Sequence, residues 1–220
     1  MVSNDVTQGE VFDALLLTAK ARLVAPLRVW RRGPDDFLLL TEPVLGEAVR
    51  TTLLRARFAA KCEIEPEEHT STIVWNGDFA EAEELVDADV EPTVDAEALE
   101  RARIEAGVPA WGKELDESIL PAEAGLDETH ISFSKGCYPG QEPIARLHYR
   151  GHVNRKLRVL DVESAQPGDD VVHEGKKVGR VTSAVPGLAL GYVRVEVPED
   201  AELQIGSAAA RLHLAAPSRP

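Results

Sequence analysis

The chain has 220 residues, 44% of them hydrophobic, which is enough to bury a core as one large domain or two modest ones and excludes a disordered chain. Lys and Arg number 24 against 38 Asp and Glu, a formal charge of -14 that opposes binding of nucleic acid or anionic membrane by the surface as a whole. With no apolar run near the roughly 20 residues that span a bilayer, a polar start at Met1-Val2-Ser3-Asn4-Asp5 and only Cys62 and Cys137 as cysteines, a soluble cytoplasmic protein is expected, lacking a disulfide framework or a four-cysteine zinc site.

Val11 to Thr18 and Leu23 to Trp30 read as strands, and Arg31-Arg32-Gly33-Pro34-Asp35-Asp36 breaks the pattern before Phe37-Leu38-Leu39-Leu40, which predicts a β-meander. From Val44 to Ala60 the residues Val44, Leu45, Ala48, Val49, Thr52, Leu53 and Ala56 recur at helical spacing, which predicts an amphipathic helix on that sheet. Residues 63–105 then carry fifteen Asp or Glu against Arg101 and Arg103 alone. Their spacing is not that of a calcium loop, so a solvated acidic helix-and-loop surface is expected there and no metal site.

The segment 146–158 is the one basic feature, with Arg146, Arg150, Arg155, Lys156 and Arg158, two histidines and no acid. It reads either as a site for an anionic group or RNA, or as the cations an exposed strand edge carries. Beyond it, Leu157 to Val162, Val171 to His173, Lys177 to Thr182, Ala189 to Val197 and Ala209 to Leu214 read as short strands punctuated by glycines. They predict a small antiparallel barrel, with a boundary near residue 150.

Lys135-Gly136-Cys137-Tyr138-Pro139-Gly140-Gln141-Glu142, followed by Ala145-Arg146, is the most informative stretch. Two glycines and a proline around one cysteine make a tight turn that lets backbone approach a ligand. Two readings of Cys137 stand on the residues alone. Lys135 and Arg146 near in sequence would favour a reactive thiolate, or the cysteine is a small buried hydrophobe in a glycine turn.

This stretch resembles the K-G-C-Y-x-G-Q-E-x-x-A-R signature of the YgfZ/GcvT-like folate-binding family, relatives of the aminomethyltransferase of glycine cleavage. Arg103-x-Glu105-x-Gly107, Gly112-Lys113-Glu114-Leu115 and Pro121-Ala122-Glu123-Ala124-Gly125-Leu126 are similar to further family segments. So are Asn4-Asp5-Val6, Gly179-x-Val181-Thr182-Ser183 and Leu190-Gly191-Tyr192. The resemblance implies an α+β fold: a GcvT/YgfZ-like folate-binding domain over residues 1–150, with an antiparallel sheet and packed helices, then a small C-terminal β-barrel over 151–220. Family members carry a strand and helix before the Asn-Asp-Val motif, and this chain begins almost on it, so the folate domain is expected to be short at its start. The region between Trp75 and Arg101 is also expected to be shorter than usual.

The same resemblance implies a tetrahydrofolate pocket, with Glu105 accepting the paired N–H donors of the pterin edge, as a carboxylate can. Arg103 and Glu123 are expected around it, together with Tyr138, Gly140, Gln141, Glu142 and Arg146 from the motif turn. Cys137 is expected as the reactive group, with Lys135 beside it. His130, His148 and His152 are expected on the surface or in hydrogen bonds. Where the aminomethyltransferases place an acidic residue, this chain has Ala25-Pro26, which speaks against aminomethyl transfer.

The implied role is therefore a folate-binding accessory protein for iron-sulfur cluster assembly or repair, with assembly or client proteins as partners and a link to tRNA modification. A folate-dependent one-carbon transferase is the alternative. A cysteine hydrolase or RNA-associated module, resting on Cys137 and the basic segment, is the third.

Overall fold

Short, largely apolar runs separated by turn residues yield the expected meander. The computed structural model describes residues 1–7, 9–57, 60–74, 82–86, 91 and 93–213. In it β1 (Val11–Leu17), β2 (Leu23–Arg31) and β3 (Phe37–Leu40) pair antiparallel in that order. Leu23, Ala25, Leu27 and Val29 are buried on one face of β2, while Val24, Pro26, Arg28 and Trp30 are half-buried on the other. Pro26 pairs with Leu15 of β1, whereas β3 pairs only with Arg28 to Arg31, so the missing N–H takes nothing from the β2–β3 ladder. The outer edge of β1 is covered by the N-terminal segment: Ser3 N donates to Leu15 O at 3.0 Å, and Leu15 N donates to Ser3 Oγ at 2.7 Å.

A 3-10 turn at Pro43–Leu45 leads into α1 (Gly46–Ala56), which packs on β2 through its buried Val49. The predicted continuation through Phe58 and Ala59 lies outside the described residues, as do Trp75 and the predicted end of the last strand at Leu214. In the acidic stretch, β4 (Thr70–Val74) and β5 (Ala82–Val86) form a two-stranded antiparallel sheet where helix and loop are expected. The helical part is α2 (Ala96–Glu105), whose N-cap Asp95 accepts from Ala98 N at 2.8 Å. Two further helices follow, α3 (Leu126–Thr129) and α4 (Gln141–Arg150). Pro143 falls in the first turn of α4, where a helix tolerates proline.

The C-terminal strands are β6 (Arg155–Val162), β7 (Asp170–His173), β8 (Lys176–Val185), β9 (Gly187–Arg194), β10 (Leu203–Ile205) and β11 (Ala208–Leu212). They close into a barrel in the order β10-β11-β6-β9-β8-β7 around Leu160, Val171, Val181, Ala189, Leu203 and Ile205. Strands β8 and β9 approach so closely that a Cβ on Gly191 would lie 2.5 Å from Arg180 O. Helix α2 stands on these two strands, its fully buried Ile104 packed with Leu188 and Leu190. Burial of that one side chain contributes about 1.5–3 kcal/mol.

By their contacts, residues 1–67 and 115–153 form one compact unit, and residues 68–114 and 154–220 form a second. The segment bearing α2 thus groups with the barrel. No helix among the described residues is long and apolar enough to cross a membrane.

Candidate functional site

The turn before α4 is built by two residues and presents a third. Gly140 caps the helix at φ +85°, where a Cβ would stand 2.6 Å from Thr18 O, so the helix start sits against the turn joining β1 to β2. Tyr138 is buried beside it, and burial raises its phenol pKa. Cys137, one residue earlier, is exposed and makes no hydrogen bond among the described residues. The reading of Cys137 as a buried hydrophobe is therefore excluded. Gln141 is half-buried, while Glu142 and Arg146 are exposed along the helix.

Lys135 is committed to the N-terminal segment. Its Nζ donates to Val2 O and to Asn4 O, each at 2.8 Å, and lies 5.7 Å from the centroid of the Tyr138 ring. Burial lowers its pKa. Around this clamp Ser3 Oγ donates to His130 O at 2.6 Å, Ser132 N donates to Ser3 O at 3.1 Å, and Asn4 Nδ2 donates to Asp13 O at 2.7 Å. The Asn4-Asp5-Val6 motif and the cysteine turn, remote in sequence, are thereby tied together. Of the histidines, His130 Nδ1 lies 2.7 Å from Thr129 Oγ1, the His148 ring stacks on Phe133, and His152 is exposed.

Four other motif fragments meet in the second unit. Arg103 Nε and Nη2 donate to the two carboxylate oxygens of Glu100, at 2.9 and 2.7 Å. Its Nη1 donates to Val108 O at 2.6 Å and to Glu114 Oε2 at 2.8 Å, and Nη2 also donates to Ser183 Oγ at 2.8 Å. All five guanidinium N–H groups are used. Glu114 is wholly buried: Oε2 also accepts from Ala110 N at 3.0 Å, Oε1 accepts from Ser183 Oγ at 2.6 Å, and its main-chain oxygen accepts from Tyr192 Oη at 2.9 Å. An unpartnered buried carboxylate would be prohibitive, and this one is saturated. The hydrogen bond from Arg103, ahead of that from Lys113, pulls the Glu100 pKa down to about 2.

Two of the expected cofactor residues have other partners in the structure. Arg103 has no donor left for a cofactor and instead binds α2 and the loop after it to the barrel. Glu123 is occupied locally, its Oε2 accepting from Leu120 N at 3.1 Å across its own 3-10 turn. Glu105 differs from its motif neighbours. It is exposed at the last position of α2, with no hydrogen bond or ion pair among the described residues. A carboxylate there also faces the negative end of the helix dipole, so nothing local rewards it.

A cavity of about 380 Å³ opens between α4 and the turn at residues 120–122. Its floor is apolar, from Leu120, Pro121, Ile144 and Leu147, and Asp127, Glu142, Arg146 and Arg150 stand around it. Of the residues expected in the site, Glu142 and Arg146 line this cavity, while Cys137, Tyr138 and Gln141 do not. Among the described residues no group of three His, Cys, Asp or Glu is placed to hold a metal. Sequence reasoning passed over Ser183 and Tyr192 as partners of Glu114, although both stand in the V-T-S and L-G-Y fragments, and it passed over Asp127 beside the cavity.

Residues 154–219 match the family described as CAF17, C-terminal beta-barrel domain. Over 104 residues, 44% of the chain and 24% of the relative, the chain is 39% identical to a putative chloroplastic transferase of Arabidopsis thaliana. It is 30% identical over 174 residues, 63% of the chain and 43% of the relative, to a mitochondrial iron-sulfur cluster assembly factor IBA57 homologue of Mycosarcoma maydis. Over 112 residues, 47% of the chain and 34% of the relative, it is 32% identical to the tRNA-modifying protein YgfZ of Cronobacter sakazakii. Each match thus spans less than half the length of the relative. The crystal structure of glycine cleavage system aminomethyltransferase T from Bartonella henselae shares the fold, with a TM-score of 0.77 at 19% identity over 97% of this chain and 78% of that one.

Proposed function

Because the chain belongs to the YgfZ/GcvT-like family, we propose that it is a tetrahydrofolate-binding accessory protein for assembly or repair of iron-sulfur proteins, with Cys137 as its reactive group. The observation that carries this reading is the contrast between Glu105 and the motif charges around it. Arg103, Glu100 and Glu114 satisfy one another, whereas both oxygens of Glu105 are uncommitted, on a helix that the same network holds in place. That arrangement fits a pterin, whose adjacent N–H donors a carboxylate accepts together. When bound, a reduced folate supplies a one-carbon carrier and a redox-labile ring. Glu105 would hold and orient it, while Cys137 offers an exposed thiol able to ionise, ligate iron or form a disulfide.

Aminomethyl transfer finds no support in the strand where its carboxylate would stand: Ala25 is fully buried and Pro26 is half-buried in β2. Two exposed, unpaired thiols suit a reducing compartment, the cytoplasm in our reading. Calorimetry with tetrahydrofolate tests the proposal directly. Glu105→Gln keeps the shape and loses the charge, and is expected to weaken binding by about tenfold or more. Equal affinity in the two proteins removes Glu105 from the site, and no binding by the parent removes folate from the function.

A further inference from the structure

We propose that the outer face of α4 is a docking surface for an acidic segment of a partner protein, one apolar residue of which seats in the cavity beside the helix. This surface involves neither Glu105 nor Cys137. At helical spacing Arg146 and Arg150 form one stripe, flanked by the stripe of Pro143 and Leu147 that leads down to the apolar floor. Past Glu142 in its first turn, the helix carries these two arginines and His148 and no further acid, in a chain whose formal charge is -14. Neither arginine has a hydrogen bond or ion pair among the described residues.

Tyr149 supplies the second half of the argument. It is 67% exposed, yet its ring is held edge-on to Phe133, with centroids 6.1 Å apart at 72°, and to His148, 4.8 Å apart at 86°. His148 is itself stacked on Phe133 at 3.8 Å. An exposed aromatic ring already fixed by its neighbours loses little freedom on binding, and Tyr and Arg are the residues that anchor protein interfaces. The cavity, about 380 Å³, has room for one large aliphatic or aromatic side chain, and Arg146 and Arg150 stand around it together with Asp127 and Glu142.

Charge selects the class of partner. A nucleic acid carries charge along its whole length and is opposed by the chain's net charge of -14, whereas a short acidic segment lies within about one Debye length, ~8 Å in physiological salt, of Arg146 and Arg150.

The test is fluorescence anisotropy on the full chain, with a short fluorescein-labelled peptide in which one Phe is flanked on both sides by Asp and Glu. Saturable binding is expected that weakens with salt, falls about tenfold or more in Arg150→Glu and in Tyr149→Ala, and falls similarly when the peptide Phe is replaced by Gly. Tyr149→Phe, which keeps the ring contacts, is expected to bind like the parent, and an unchanged melting temperature shows that each variant is folded. Absence of saturable binding, or equal affinity in the parent and Arg150→Glu, overturns the proposal. Tighter binding of oligouridine that is lost in Arg150→Glu assigns the face to RNA and overturns it as well. So does self-association that Arg150→Glu abolishes, which assigns the face to a second copy of the chain.

Discussion

Arg103 Nη1 lies 2.8 Å from Glu114 Oε2, and that carboxylate is wholly withdrawn from solvent. The two residues are only 11 apart in sequence, but each also bonds Ser183, so one contact carries both the loop after α2 and strand β8.

Removing Glu114 leaves the buried guanidinium and the Ser183 hydroxyl short of an acceptor. Glu114→Ala is expected to lose about 3–5 kcal/mol in urea unfolding, the usual cost of breaking a buried pair from one side. A loss below about 1 kcal/mol would mean that water replaces the carboxylate without difficulty.

Glu100 predicts the pH dependence of the same network. Its pKa falls from about 4.3 in an unfolded chain to about 2 in the folded one, chiefly through the hydrogen bond from Arg103. A depressed carboxylate pKa stabilises above the unfolded value and loses that stabilisation as pH falls toward the folded value. The stability difference between the parent and Glu100→Gln is therefore expected to be constant near neutrality and to shrink from about pH 4.3 to about pH 2. Unfolding midpoints across that window check this, and a difference that grows on acidification contradicts it.

Gly140→Ala combines a positive φ with a Cβ 2.6 Å from Thr18 O. The backbone conformation alone costs about 1–2 kcal/mol for a residue with a side chain, and the close approach adds to it. A drop of more than about 2 kcal/mol in chemical denaturation is expected, and an unchanged midpoint would show that the turn yields freely.

Lys135→Met should release the N-terminal segment by removing the donor shared by Val2 O and Asn4 O. Faster hydrogen exchange at Leu15, whose amide is held by Ser3 Oγ, is expected, with a loss of about 1.5–3 kcal/mol. Thiol reactivity at Cys137 is expected to stay as in the parent, because the ammonium is engaged elsewhere. A large fall in that reactivity would restore Lys135 to a role beside the thiol.

Cys137→Ser is expected to melt within about 0.5 kcal/mol of the parent, as exposed substitutions do, yet to fail in restoring iron-sulfur enzyme activity to cells lacking the protein. Cys62→Ser, also at an exposed cysteine, is the control and should restore it. Full restoration by Cys137→Ser would end the case for a functional thiol.

The meander and most of the barrel were legible because a short apolar run bounded by turn residues is a local signal, present from Leu23 to Trp30 and from Leu157 to Val162. Strand β10 was not, since Leu203-Gln204-Ile205 is too short to show a period. Gly140 and Pro143 disguise the start of α4, so half of the basic segment that suggested a strand edge is helix. The exposure of Cys137 was one of two readings that its turn allowed, but the fate of Arg103 was not legible at all, because its partner Ser183 lies 80 residues away and no local pattern records such a meeting. The donation of Lys135 to Val2 and Asn4 went unread for the same reason, since its partners lie more than 130 residues away.

Every strand of the barrel has two hydrogen-bonded neighbours, with β10 joined to β7 to complete the circuit. A peptide arriving in extended form finds no strand here whose whole edge is free to prolong, so recognition by β-augmentation is disfavoured in this module. Edge-to-edge stacking into fibrils is disfavoured for the same reason, which leaves loops and side chains as the better means of gripping whatever this part of the chain meets.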